Sequence, residues 1–536
     1  MTLYRFLRKS RIIIASLIFI LVFIIFNDLY EWIPSGIART VLSFQFVPSL
    51  LTFLATFSLI AGGGFLLILL ITLITGRVYC SIICPLGIMQ DIINRISRYT
   101  SKKKRFFRFK KEYPVFRYTF LGIMIIALIT GLGWITVWLD PYSIMGRAFT
   151  YLLKPLITWG NNMVAVPLFH SMNIYSFFHH TLLHPYVLPV ILSLAITVAI
   201  GYFAWKRGRL FCNTICPVGT LLGIASRFSF FRVRFDRNKC TRCGKCAAIC
   251  KSECINIKNY SVDNSRCVVC FNCLDVCPEA ALSLRPPLKP AKTKSYLRTA
   301  EAAQESVGSH DSNRRKILLT FLAFLVGNRI YALKKNRMPE NQKDLLINEK
   351  EHPVAPPGAG TIERFNNICT GCSLCVSACP TGVLQPALTE YGLAGFMQPH
   401  MDYLTNYCNF DCTKCGDVCP TEAILPLSLE DKHITQIGKA FFVKQNCIVF
   451  TDETDCGACS EHCPTKAVKM VPYKNGLLIP EVEQAICVGC GACEHACPVG
   501  APFKAIYVDG NAVQQFAEKP VVKELKQQGP EEDFPF

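Results

Sequence analysis

The sequence predicts an α-helical membrane bundle joined to small α+β domains built around cysteine. Three observations predict this. Residues of hydrophobic type make up 51% of the 536-residue chain and gather in long apolar segments. Of its 29 cysteines, twenty-four fall into six runs of four. Its net charge of +19 is also uneven: residues 1–336 carry 42 Lys and Arg against 13 Asp and Glu, residues 337–536 only 15 against 25. Basic residues crowd the ends of apolar segments, as membrane topology requires. That explanation leaves no stripe for nucleic acid, and no nucleic-acid partner is expected.

Four segments approach or exceed the about 20 apolar residues that cross a bilayer. They run from Ile12 to Phe26, Ser49 to Thr75, Val115 to Leu139 and Tyr186 to Trp205. Arg5, Arg8, Lys9 and Arg11 precede the first. Lys102, Lys103, Lys104, Arg105, Lys110 and Lys111 separate the second from the third, and Lys206, Arg207 and Arg209 follow the fourth. The alternate loops hold only Arg39, then Arg147 and Lys154. Both ends of the unit are therefore expected in the cytoplasm, with membrane lipid around it. Residues 76–87 repeat at 208–219, from Gly-Arg through Cys-x3-Cys-Pro to Gly. The membrane part, 1–230, reads as a parallel duplication.

The cysteine runs carry the chemistry. The clearest is Cys487, Cys490, Cys493, Cys497, with Pro498 after it. Three crowded thiolates and a fourth beyond a turn wrap a cubane iron–sulfur cluster, the fourth ligating a neighbouring cluster. Zinc sites instead use two separated pairs, and disulfide frameworks belong to small secreted chains. Cys240, Cys243, Cys246, Cys250 and Cys267, Cys270, Cys273, Cys277 form a two-cluster segment, 231–284, expected in the cytoplasm. There Cys277 is expected to complete the first cluster and Cys250 the second. Lys251 stands where the other five runs have proline, and Cys254, left over, reads as a buried small hydrophobe.

After a linker, 285–312, an apolar fifth segment, 313–335, and a Pro/Gly-containing linker, 336–360, four more runs occupy 361–510. They are Cys369, Cys372, Cys375, Cys379; Cys408, Cys412, Cys415, Cys419; Cys447, Cys456, Cys459, Cys463; and the run that begins at Cys487. Their fourth cysteines pair either between neighbouring runs or in a nested scheme, first with fourth around second and third; the nested scheme is the expectation. Residues 511–536 read as a polar tail. The fold class is then four spans plus a fifth, with α+β ferredoxin-like bi-cluster domains holding about six [4Fe–4S] clusters. No Cys-x-x-Cys-His occurs, so c-type haem is not expected.

Other features have competing readings. Cys80 and Cys84, and Cys212 and Cys216, sit four apart, so each pair shares a helix face; the two pairs could converge on one metal or redox site, or only pack. Arg314-Arg315 before the apolar run Ile317 to Gly327 looks like a twin-arginine export signal, though Asn313 intervenes after Ser312. A plain fifth helix or an interfacial helix are the alternatives. His170, His179, His180 and His184 share an outer loop where a quinol could be deprotonated, although interfacial packing is the favoured reading. No nucleotide loop, flavin fingerprint or nucleophile triad stands out, so turnover by this chain alone is not expected.

Residues 1–284, with four spans, two Cys-x3-Cys-Pro motifs and a two-cluster segment, resemble NapH, a membrane ferredoxin-type subunit of periplasmic nitrate reductase systems. The Cys80-x3-Cys84-Pro85 type of motif is shared with the NosR and CcoG polyferredoxins. Residues 312–510 resemble NapG. The resemblance implies an inner-membrane electron relay, quinol dehydrogenase-like, from the quinone pool to a periplasmic reductase or cytochrome, with residues 336–536 in the periplasm. Two other functions stand beside it: a metal-handling or maturation reductase using Cys80, Cys84, Cys212 and Cys216, and an all-cytoplasmic ferredoxin-fed regulator.

Overall fold

The computed structural model describes residues 2–59, 62–100, 107–172, 180, 186–286 and 345–519. The twin-arginine-like segment 313–335, most of the linkers, His179 and His184, and the side chain of His170 lie outside them. About half of the described chain is helical, and every sheet has two strands.

Helix α1 (Thr2–Asn27) has no Gly or Pro to stop it, places its charges near its start and is apolar beyond Arg11. It is longer than the expected first span. The second expected span is not one helix. It falls into α3 (Phe46–Thr56) and α4 (Gly63–Thr75), with α2 (Ser35–Ser43) bent by 92° against α3. Phe57 ends α3 in the left-handed region, and a Cβ on Gly64 would come within 2.1 Å of the Ser43 carbonyl oxygen, so glycine lets α4 press on that corner.

The third expected span also breaks, at Gly131 (φ 71°), into α7 (Pro114–Thr130) and α8 (Gly133–Leu139). Between α4 and α7 lie α5 (Tyr79–Ile82) and α6 (Pro85–Thr100). After α8 come α9 (Pro141–Arg147), a π-turn over Ala148–Leu153, α10 (Lys154–Met172), α11 (Val187–Arg207), α12 (Leu210–Thr214) and α13 (Pro217–Ser226). Among the described residues two helices, Leu3–Asn27 and Val187–Arg207, are long and apolar enough to cross a membrane, or three if the bent pair counts as one span. Expected apolar length was real; left-handed Phe57 ends α3 and left-handed Gly131 ends α7.

In the two-cluster unit β1 (Arg232–Phe235) pairs antiparallel with β4 (Leu282–Arg285), joining the first strand to the last, and β2 (Ile255–Asn256) pairs with β3 (Ser261–Val262). The four-cluster unit contains β5 (Leu384–Pro386) on β6 (Pro399–Met401), β7 (Thr435–Phe442) on β10 (Ile506–Phe516), and the hairpin of β8 (Val468–Pro472) and β9 (Leu478–Val482), whose turn uses Asn475-Gly476 at positive φ. Two expected boundaries move. β10 runs past 510 to Phe516, and residues 345–360 are packed rather than linking, with Val354 and Ala355 buried and Asn348 bonded to Pro502.

The two cluster-bearing units sit at opposite ends of the helical unit. At the start of α1, Arg5 and Arg8 meet Asp275, while Phe230 and Phe231 N–H groups donate to the Leu73 and Ile74 carbonyls (2.7 and 2.8 Å). At its other end Ser377 donates to the Phe26 carbonyl. There Arg39 reaches the Gly416 and Asp417 carbonyls (3.1 Å each), Thr150 the Ser373 carbonyl (3.2 Å), and Tyr186 Asp402 (2.9 Å). From Arg8 to Phe26 a helix advances about 27 Å.

Candidate metal centres

The four compact loops share one backbone device. In each C-x2-C-x2-C run the residues flanking the middle cysteine are left-handed: Arg242 and Gly244, Val269 and Phe271, Gly371 and Ser373, Gly489 and Gly491. The double reversal curls the loop so that its three sulfurs face one point. A five-residue helix follows in each case, namely α14 (Lys245–Ile249), α15 (Asn272–Val276), α16 (Leu374–Ala378) and α17 (Ala492–Ala496). Each stops at the fourth cysteine, which is extended and points away to the neighbouring set. Glycine is required at Gly489, where a Cβ would meet the Gly438 backbone at 2.5 Å. Val269 and Phe271 hold the same conformation without glycine, a strained arrangement kept by its surroundings.

Charge interactions among the thiols show which sulfurs gather. Cys246 faces Cys240, Cys243 and Cys277, and Cys273 faces Cys267, Cys270 and Cys250, the expected exchange of fourth ligands. Cys375 faces Cys369, Cys372 and Cys419, while Cys415 faces Cys408, Cys412 and Cys379. Cys459 gathers with Cys447, Cys456 and Cys497, and Cys493 with Cys487, Cys490 and Cys463. Neighbouring runs therefore pair. The nested scheme is corrected: the fold pairs the first run with the second and the third with the fourth.

Several features fit a polynuclear anionic guest. Among the described residues no group of three or more Cys, His, Asp or Glu closes on a single ion. Tetrahedral zinc with Zn–S near 2.3 Å would need sulfurs about 3.8 Å apart. Burial, foremost, pushes the Cys246 thiol up to about 11 and those of Cys459 and Cys490 to about 12. Such sets ionise only with positive charge among them. The Tyr142 hydroxyl is buried beside Cys372 and Cys419 and serves as a donor to the Cys372 sulfur. Gly371 N–H donates to Cys369 Sγ at 3.5 Å.

Three Cys-Pro-Thr triplets repeat a contact that the spacing reading missed. Thr381, Thr421 and Thr465 place Oγ1 at 3.5, 3.6 and 3.7 Å from the sulfurs of Cys379, Cys419 and Cys463. The triplet itself was the available signal. Cys254 is buried, as expected, but it also lies 3.5 Å from the Cys250 sulfur, and its hydrogen bond holds Cys250 below the ordinary thiol range. Cys80, Cys84, Cys212 and Cys216 are all buried in one apolar core. Of the outer-loop histidines only His180 is fully described; its ring lies edge-on to Tyr30.

Comparison with known proteins agrees with this geometry. A family described as a 4Fe-4S binding domain matches residues 55–111 and 187–238, and a 4Fe-4S dicluster domain matches 363–423 and 454–501. Its homologues are ferredoxin-type iron–sulfur proteins. The chain is similar to the ferredoxin-type protein NapH of Escherichia coli, 25% identical over 234 residues that cover 41% of this chain and 66% of NapH. It is 25% identical to the methylamine utilization ferredoxin-type protein MauN of Paracoccus denitrificans over 190 residues, 35% of this chain and 53% of MauN. MauM of Methylophilus methylotrophus is 36% identical over 143 residues, 25% of this chain and 62% of MauM. The chain thus spans about half to two thirds of the length of these relatives. No solved structure matches it.

Proposed function

We propose that this ferredoxin-type chain is a membrane relay that carries single electrons from the quinol pool to a reductase or cytochrome on the far side of the inner membrane. The twenty-four cysteines of the six gathered sets are its ligands for six [4Fe–4S] clusters. Bound clusters supply one-electron storage; the protein supplies positions, insulation and hydrogen bonds to sulfur. Left-handed loops aim three thiolates, exchanged fourth cysteines tie sets in pairs, and buried apolar neighbours keep water out.

One observation carries the reading: cluster-bearing units cap both ends of a helical unit that contains apolar spans. With the N-terminus and residues 231–284 cytoplasmic, as the basic residues favour, the four-cluster unit lies in the periplasm. A NapH-like half fused to a NapG-like half accounts for both caps. The quinol source and the acceptor rest on that likeness. A metal-transfer role for Cys80, Cys84, Cys212 and Cys216 is disfavoured by their burial, since transfer needs accessible sulfur.

The test is a reporter fused after Phe536, together with quinol-driven reduction of the clusters in membranes. Periplasmic reporter activity and reduction by a quinol analogue are expected. A cytoplasmic reporter would support the all-cytoplasmic regulator instead.

A further inference from the structure

The two copies of the repeated motif assemble a site that neither holds alone. Each segment matched as a 4Fe-4S binding domain in the membrane unit contains two cysteines, Cys80 and Cys84 in one, Cys212 and Cys216 in the other. In the fold all six pairings among these four sulfurs fall within charge-interaction range. All four are buried, at 3–4% exposure. The sulfurs do not close on a single ion, as the six other sets do not.

A reciprocal exchange of arginines frames the site. Arg77 of the first copy donates to the Cys212 carbonyl of the second (3.1 Å) and points Nη2 at Cys80 Sγ (3.8 Å). Arg209 of the second donates to the Cys80 and Gly87 carbonyls of the first. The repeat's last glycines make room. A Cβ on Gly219 would stand 2.8 Å from Arg77 Nη2, and one on Gly87 3.2 Å from Arg209 Nη1.

Charge then identifies the guest. Both arginines are at most 1% exposed. Arg209 is paired with Asp91 at 2.7 Å, but among the described residues no carboxylate pairs with Arg77, which bonds the Asn213 amide oxygen, carbonyls and the Cys80 sulfur and lies within charge-interaction range of Cys212 and of Cys267 in the cap. A buried cation without a counter-charge is costly, so an anion belongs beside it. Further donors aim at the sulfurs: Gln90 Nε2 lies 3.3 Å from Cys212 Sγ, and Gly219 N–H 3.4 Å from Cys216 Sγ. Helices α6 and α13 begin directly after Cys84 and Cys216, adding their positive ends.

Position supplies the purpose. Asp275 and Ser377, each between two cysteines of a cap set, meet α1 at Arg8 and Phe26, points about 27 Å apart along the helix. Tunnelling falls exponentially with distance, so one step across that gap is slow. The four cysteines share a buried core with Val268 and, packed against it, Cys270 of one cap, and with Cys372 of the other. Arg77 bonds the Ser265 carbonyl (3.0 Å), two residues from Cys267. Toward the other cap, Tyr79 interacts with Cys80, Cys84 and Asp140, and Tyr142 with Asp140 and Cys372.

We propose that Cys80, Cys84, Cys212 and Cys216 bind a seventh [4Fe–4S] cluster, shared by the two repeat copies, as the stepping stone between the caps. This inference rests on the relay reading above. The step moves one electron: the cap cluster that donates it is oxidised, the next is reduced, and no atom is transferred.

The test uses full-length protein purified without oxygen in detergent. Iron, acid-labile sulfide, zinc and copper are counted per chain in wild type and in the C84A/C216A variant, with Mössbauer spectra of both. The expected counts are about 28 iron atoms for wild type and about 24 for the variant, at four per cubane. Wild type at about 24 iron, with these four thiols open to alkylation in the unfolded protein, overturns the seventh cluster while leaving the relay intact. One zinc or copper atom lost with the variant also overturns it. Counts far below 24 in both proteins overturn the relay reading itself. Because the double variant could unfold, the wild-type count stands alone as a second measurement.

Discussion

Asp91 is the place where one substitution should loosen the two-cluster unit from the membrane helices. Its carboxylate accepts from Arg209 Nε at 2.8 Å and pairs with Arg209 Nη2 at 2.7 Å, with Lys251, and with Arg11 Nη1 at 3.4 Å. Those cations come from the start of α12, the two-cluster unit and α1, and all three are at most 7% exposed. Asp91→Asn keeps the shape and leaves three buried cations without an anion. Breaking a buried pair this way costs about 3–5 kcal/mol. Through the tenfold-per-1.4 kcal/mol relation that is a rise in local opening of roughly a hundredfold to several thousandfold. Hydrogen exchange of amides in 76–91 and 245–277, followed by mass spectrometry in detergent, reads it directly. Exchange unchanged within about threefold would refute the claim that this carboxylate fastens the unit, since even an exposed pair is worth up to about 1 kcal/mol.

The same carboxylate sets a pH dependence. Burial opposes its charge, but Arg209 and Lys251 outweigh burial and hold Asp91 well below the usual carboxylate range. Its stabilisation is complete above the unfolded value of about 3.9 and is lost as pH falls below it, so amide protection, corrected for the slower intrinsic exchange in acid, should fall with pH for wild type and not for Asp91→Asn. Gly489→Ala places a Cβ against the Gly438 backbone at φ 75°, and should cost the protein about eight iron atoms, two cubanes' worth, by iron analysis. Thr381→Val removes the hydroxyl beside Cys379 and should lower one cluster potential by about 20–60 mV in an EPR redox titration, the equivalent of a hydrogen bond near about 1 kcal/mol. Cys254→Ala should leave the iron count unchanged, whereas Cys250→Ala should lose about four atoms.

Which features were legible in the sequence follows from how local their physics is. Cluster ligation demands one residue type at fixed spacing, so all six runs stand out, even where the gap from Cys447 to Cys456 is wide. Spans were legible as apolar mass but not as helices, because the left-handed turns at Phe57 and Gly131 act on backbone geometry within an unbroken hydropathy signal. Partners of the fourth cysteines were legible for Cys250 and Cys277 but not in the four-cluster unit, since only the fold decides that Cys419 turns to Cys375 and Cys379 to Cys415. Left-handed Val269 and Phe271 run against local preference and could not be foreseen from residue type. Arg77 and Arg209 were visible as part of a repeat; their exchange between copies needed three dimensions.

The central claim is that electrons cross the membrane inside this chain. Proteoliposomes with the protein oriented uniformly, ferricyanide trapped inside and dithionite added outside, measure that crossing as bleaching of the trapped dye. Bleaching that depends on the protein, and slows when Cys84 and Cys216 are replaced, is the predicted result. Clusters reduced on the outer face while the trapped ferricyanide keeps its colour would contradict it.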